Sequence, residues 1–246
     1  MTKKILFATA VTALAFYVSG CRSVEEFDNL VVEAKYTEVP VNIDGKLDDA
    51  IWNEAVAYSF NSYNAPVIQD GSIKFAWDEN FIYVGAQLTD DDVVSTVNTD
   101  QTHLYKTGDV LELFLKPIND TYYWEIYGNP EKARTSLFFP SGGRLLFPDS
   151  EKYLMPDLKV GAEVDGTLNN WHDKDRGWTV EIAVPIKELT RYGAAINENT
   201  IWRFLIGRYN YSRWLEKCEI SGITVFKDDN KSYHHMPSYG YMKFIR

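Results

Sequence analysis

The runs at residues 108–116 (GDVLELFLK) and 122–129 (YYWEIYGN) constrain this chain most. Both have strand length and are rich in aromatic and branched residues. Asn119-Asp120 between them is a turn signal, so the pair reads as a β-hairpin. Symmetric pairing about that turn sets Glu112 opposite Tyr127 and Phe114 opposite Glu125. Alternation then sorts the side chains onto two faces. Leu111, Leu113, Leu115, Trp124 and Ile126 form a core face. Val110, Glu112, Phe114, Glu125, Tyr127 and Asn129 form the other. The second face holds two acids among aromatic rings in mid-sheet, where an unpaired charge is costly and a cation or a ligand hydroxyl must compensate. A slip of one residue would send the acids to opposite faces, so the inference rests on the turn.

The chain begins with Lys3-Lys4, an apolar stretch from Ile5 to Val18, and Ser19-Gly20-Cys21. A basic start, an apolar run of this length and a small-residue end make a secretory signal, too short for a stable membrane span. The ending V-S-G-C resembles a bacterial lipobox, which implies cleavage before Cys21 and lipidation of its thiol. The expected organisation is a signal peptide at 1–20, a polar and acidic tether at 21–35, and a single domain at 36–246. The protein is then expected on the bacterial cell envelope, held by lipid, with the outer membrane favoured over the inner. An uncleaved anchor would tether it similarly.

The whole chain carries a net charge of −10, and removing residues 1–20 takes two lysines with it. Nucleic acid is therefore excluded as an expected partner. Of the two cysteines, lipidation of Cys21 leaves Cys218 alone, so no internal disulfide forms and stability must come from a packed core. At 45% hydrophobic and 15% aromatic residues, the chain can build one.

Residues 39–60 (VPVNIDGKLDDAIWNEAVAYSF) contain a turn at Asp44-Gly45, then Leu47, Ile51, Trp52 and Ala55 at helical spacing, which predicts a short helix burying Trp52. In residues 73–92, Ile73, Phe75 and Trp77 alternate, Asp78-Glu79-Asn80 turns the chain, and Ile82 to Leu88 runs back as a second hairpin. Farther on, Trp178, Val180, Ile182 and Val184 alternate with Thr179, Glu181 and Ala183. Trp202, Phe204 and Ile206 alternate with Arg203, Leu205 and Gly207. Many short strands predict an all-β chain, a single antiparallel β-sandwich with one or two short helices.

Five segments, IDGKLDDAIWNEA, FAWDENFIYVGAQLTDDDV, GDVLELFLKP, GWTVEIAVP and the closing YGYMKF, resemble in order and spacing the family 9 carbohydrate-binding modules and their relatives among sugar- and haem-binding β-sandwiches. The resemblance spans nearly all of residues 39–246 and implies the same sandwich. It also implies non-catalytic capture of a glycan or oligosaccharide for degradation or uptake. In that family a sugar end lies between aromatic rings, with hydroxyls bonded by a Glu of a D-x-x-E-x-F strand and by a downstream Arg. Here the motif is Asp109-Val110-Leu111-Glu112-Leu113-Phe114. The resemblance therefore implies Glu112 as the acid, Tyr105 as the ring and Arg134 as the guanidinium, with Glu125 and Tyr127 beside them. Gly108 looks like an insertion that puts Tyr105 one residue out of step. The family's second stacking Trp is missing where Ser221-Gly222-Ile223-Thr224 aligns, and Trp214 or Phe226 is the expected replacement.

Other chemistries remain open on these residues. Glu–Arg ladders, Glu112 with Arg134 and Glu181 with Arg203, would merely satisfy buried charge, although such pairs also bond vicinal hydroxyls. Asp90, Asp91 and Asp92, and Asp228-Asp229, offer oxygen ligands for calcium, a possible cofactor where none is required; a solvated acidic loop is the alternative. His234-His235-Met236 invites a haem-binding electron-transfer reading, yet neighbours on an extended chain point apart. Glu112 and Glu125 as diagonal neighbours also admit a glycoside hydrolase, though nothing in the sequence assigns acid and base roles.

Overall fold

The structure is a computed structural model, in which residues 27–63, 69–142 and 155–246 are described. The signal region and Cys21 lie outside them.

Short-range alternation builds the strands. The hairpin β4 (Gly71–Trp77) and β5 (Phe81–Thr89) pairs Phe75 with Val84. Asp78 fixes its turn, accepting from the backbone N–H groups of Asn80 and Phe81 at 2.7 Å each. The hairpin β6 (Val110–Pro117) and β7 (Tyr123–Gly128) adopts the expected register, Glu112 opposite Tyr127 and Phe114 opposite Glu125. β8 (Arg134–Phe139) follows antiparallel to β7, and β9 (Lys159–Asp165) pairs with β10 (Gly177–Pro185). β11 (Ile201–Asn210) pairs with β6 and with β13 (Gly240–Ile245).

With β1 (Val31–Tyr36), the order across the sheet is β8-β7-β6-β11-β13-β1-β4-β5-β10-β9. The short strands β2 (Tyr58–Ser59), β3 (Asn61–Ser62) and β12 (Glu219–Gly222) attach to β4, β12 and β11 respectively. The sheet curls so that its two halves face each other. A Cβ added to Gly128 of β7 would meet Ile182 and Val160 of the opposing half at 3.1 Å. Between the halves lies one apolar core. Leu111, Leu113, Leu115, Trp124 and Ile126 meet Phe75, Val84, Val180 and Ile182, all buried. This is the all-β sandwich expected from the alternation.

Three details depart from expectation. β1 runs parallel to both β13 and β4, so the sheet is mixed rather than purely antiparallel. Residues 31–35, expected in the tether, belong to that strand: Val32 and Ala34 enter the core completely, and the strand joins the two halves of the sandwich. The predicted helix, α1 (Ala50–Glu54), buries Ile51 and Trp52, but Leu47 precedes it with φ 55° instead of sharing its face. A second short helix, α2 (Ile186–Leu189), follows β10.

α1 is docked by a buried acid. Glu181 Oε2 accepts from the backbone N–H groups of Asp44 (3.0 Å) and Gly45 (2.8 Å), while the Trp52 indole N–H donates to Oε1 at 2.8 Å. Gly45 has φ 93°, and a Cβ there would lie 2.5 Å from the Ala162 backbone, so this turn requires glycine. The expected Glu181–Arg203 ladder does not form. Arg203 lies over the Tyr241 ring at 5.0 Å and donates to the Tyr239 carbonyl at 2.8 Å.

Candidate functional site

Pleating settles which side chains meet outside the core. On the face of β6 and β7 turned away from it, Val110, Phe114 and Tyr127 join a second aromatic cluster with Leu104, Tyr123, Leu205, Tyr233 and Tyr239. There a cavity of about 350 Å³ opens. Its floor is Glu112 and Phe114 of β6, Glu125 and Tyr127 of β7, Leu137 and Phe139 of β8, Tyr209 of β11 and Ile220 of β12. Its rim is His103 and Tyr105 from the loop before β6, and Lys231, Ser232, Tyr233 and His234 from the loop before β13.

Both rims are anchored. The Tyr211 hydroxyl donates to the Tyr105 carbonyl at 2.6 Å, and Asp109, itself buried, accepts from the N–H groups of Val94 and Tyr211 at 2.6 Å each. The first position of the D-x-x-E motif thus ties the loop before β6 to the end of β11. Asn129, on the same face, donates to Ser95 Oγ (3.0 Å) and the Val97 carbonyl (2.8 Å) and so holds the loop rather than the cavity. On the other rim, Tyr239 donates to the Tyr233 carbonyl at 2.9 Å, and Phe226 stacks on the Tyr233 ring, 6.2 Å between centroids at 11°. The rings form a wall: Tyr105 lies 5.5 Å from Tyr209 and 6.2 Å from Tyr127, and Tyr209 lies 5.7 Å from Tyr233, near perpendicular.

Glu112 and Glu125 sit at the bottom, 2% and 5% exposed. The Tyr127 hydroxyl donates to Glu125 Oε1, but Glu112 Oε1 has no hydrogen-bond partner. Burial, then the neighbouring Glu125 charge, push the Glu112 carboxyl well above the usual range. Burial pushes Glu125 up to about 7, against the opposing Tyr127 hydrogen bond. His234 Nε2 stands 4.0 Å from Glu125 Oε2, while its Nδ1 meets the Tyr123 hydroxyl at 2.8 Å. Burial lowers the His234 pKa, so at neutral pH this contact is not an ion pair.

Tyr105, Glu112, Glu125 and Tyr127 are brought together as expected; Arg134 is not. Tyr127 pairs with Thr135, so Thr135, Leu137 and Phe139 share the face that carries the cavity, which Leu137 and Phe139 line, and Arg134 falls on the other side of β8. There its Nε donates to Asp100 Oδ2 at 3.0 Å. The Glu112–Arg134 ladder is therefore absent. Trp214 is also elsewhere, 64% exposed on the loop after β11 with the Arg213 guanidinium 4.5 Å from its ring. The second ring at the cavity is Tyr209 or Tyr233, with Phe226 backing Tyr233.

The three aspartates proposed for calcium do not converge. Asp90 pairs with fully buried Arg208 at 3.4 Å, Asp92 with Arg213 at 3.5 Å, and Asp91 with Lys174 at 3.0 Å. Among the described residues no group of three or more potential metal ligands gathers. His234 and His235 diverge at a turn closed by the His235 N–H donating to the Ser232 carbonyl at 2.9 Å: His235 bonds Ser238 (2.9 Å) and approaches Asp228 (3.3 Å), away from the cavity.

Tyr209, Tyr233 and Phe139 line the cavity without being expected there, and His234 lines it although its motif suggests only a haem or metal ligand. Tyr209 continues the alternation of Arg203, Leu205 and Gly207 by one step, and that signal could have found it. Tyr233 immediately precedes the histidine pair in the sequence.

A β-sandwich with an aromatic, acid-floored cavity on the outer face of one half has the architecture of a carbohydrate-binding module. The family model for "Carbohydrate family 9 binding domain-like" proteins matches residues 43–204, and the chain belongs to that family. Among solved structures, a putative carbohydrate-binding protein from Bacteroides uniformis superposes with TM-score 0.70 at 12% identity, covering 88% of this chain and 99% of that one. A family 9 carbohydrate-binding module from Caldicellulosiruptor kristjanssonii in complex with cellotriose superposes with TM-score 0.61 at 17% identity, covering 88% and 94%. The same organism's module in complex with glucose gives TM-score 0.62 at 17% identity, covering 88% and 97%. No curated protein matches the chain.

Proposed function

We propose that this protein binds carbohydrate without cleaving it, in the cavity floored by Glu112 and Glu125 and walled by Tyr105, Tyr209 and Tyr233. The observation that carries this reading is Glu112 Oε1, buried, unpartnered and facing a cavity lined by aromatic rings. A sugar offers what that environment lacks: hydroxyls for the carboxyls and apolar C–H faces for the rings. Family membership and the glucose and cellotriose complexes of similar modules support the same class of ligand.

In this proposal the lipidated Cys21 holds the domain on the bacterial cell envelope, where it captures glycan for degradation or uptake. A glycan array probed with the full chain tests the function. Binding to one glycan class, lost on Tyr105→Ala, is expected; a blank array would overturn it. Product analysis of the bound glycan should show no hydrolysis, and the purified protein should show no Soret band.

A further inference from the structure

We propose that the saccharide unit selected by this cavity carries a protonated amine, so that the ligand class is amino sugars rather than neutral glucans. The inference rests on the sugar-binding reading and narrows it.

Glu112 and Glu125 project from adjacent strands into one cavity, and among the described residues no arginine or lysine pairs with either. Arg134 is turned to Asp100 on the other face, Arg208 to Asp90 inside the core, and Arg203 to the Tyr239 carbonyl. At the rim, the Lys231 ammonium donates to the Tyr63 carbonyl at 2.8 Å, and the Lys106 ammonium lies over the Tyr105 ring, 5.4 Å from its centroid. The imidazoles of His103 and His234 also line the cavity, both held toward the neutral form by burial, with Lys106 adding to the effect at His103. Among the described residues, the buried pair of acids thus has no arginine or lysine of the kind that normally accompanies such a pair.

What surrounds the acids suits a cation. Tyr105, Tyr209, Tyr233 and Phe114 present rings around them, and ring faces attract ammonium groups as well as sugar faces. An ammonium brings three donors and a positive charge, which a hydroxyl cannot. One donor would satisfy Glu112 Oε1 while the charge offsets the pair. The cavity volume of about 350 Å³ accommodates a monosaccharide-sized unit.

Three trimers on the same β-1,4-linked backbone separate the possibilities: the glucosamine trimer, its fully N-acetylated form, and cellotriose. They are titrated calorimetrically into the full chain in detergent at pH 6, in two buffers of different ionisation enthalpy. The glucosamine trimer should bind about tenfold or more tightly than either neutral trimer, the difference expected for charge-assisted over neutral hydrogen bonds. Its binding should also release protons to the buffer, because the cation displaces those the buried acids hold. Glu112→Gln should remove both the preference and the proton release. If thermal melts show that variant unfolded, Glu125→Gln and the wild-type proton release carry the test. Equal or tighter binding of a neutral trimer, without proton release, would overturn the amine preference and leave sugar binding standing. Failure of all three trimers together with a blank glycan array would overturn both.

Discussion

Glu112 and Glu125 make the site's chemistry visible in the protein's stability. Burial raises both carboxyls, so the folded chain holds their protons more tightly than the unfolded chain, where a glutamate titrates near 4.5. The stability they contribute is complete below that value and is lost as pH rises through the folded value, which for Glu125 is about 7. Asp90, pushed up to about 6 by burial against the pull of Arg208, acts in the same direction. His234, lowered by burial, acts oppositely and costs stability as pH falls below its ordinary 6.5. Urea titrations between pH 5.5 and pH 8 should therefore show falling stability. Glu112→Gln should flatten that fall and gain about 1–3 kcal/mol at pH 8, by removing a buried unpaired acid. A wild-type profile as flat as the variant's would show that the acids are hydrated in solution.

Strand and loop placement decide what Glu112 meets. Gly207 of β11 lies opposite Glu112, and a Cβ there would stand 2.3 Å from the buried Tyr233 ring. Gly207→Ala should cost about 1–3 kcal/mol of stability through overpacking, push Tyr233 out of the cavity wall and weaken glycan binding. Unchanged affinity in calorimetry would show that Tyr233 is not part of the wall. At α1, Trp52→Ala removes a buried ring and leaves Glu181 without its indole donor, so a loss of about 3–5 kcal/mol in urea titration is expected.

The hairpin of β6 and β7 was legible because one short turn fixed its register, and with it the face shared by Glu112, Phe114, Glu125 and Tyr127. Arg134 was not, because its side depends on the next turn, where Lys132 takes φ 66° and sets Tyr127 against Thr135. The sequence places most of β1 in the tether for a related reason. Its partners β13 and β4 are parallel to it and far along the chain, and local alternation cannot reveal a nonlocal partner.

At the scale of the whole molecule, β1 occupies a central position in the sheet and ties both halves of the sandwich together through residues expected in the tether. Cys21→Ser should release the protein from the membrane fraction or block its processing. Normal processing with unchanged fractionation would contradict lipid anchoring at that residue. The central claim, that the aromatic, acid-floored cavity is where carbohydrate binds, is tested most directly by calorimetric titration of the wild type and Tyr105→Ala with the strongest glycan from the array. Tyr105 is half-exposed at the rim, so its removal should leave the melting temperature nearly unchanged. Affinity should fall by about 0.5–1.5 kcal/mol through loss of a stacking ring. Equal affinity for the two proteins would place the binding site outside this cavity and contradict the account.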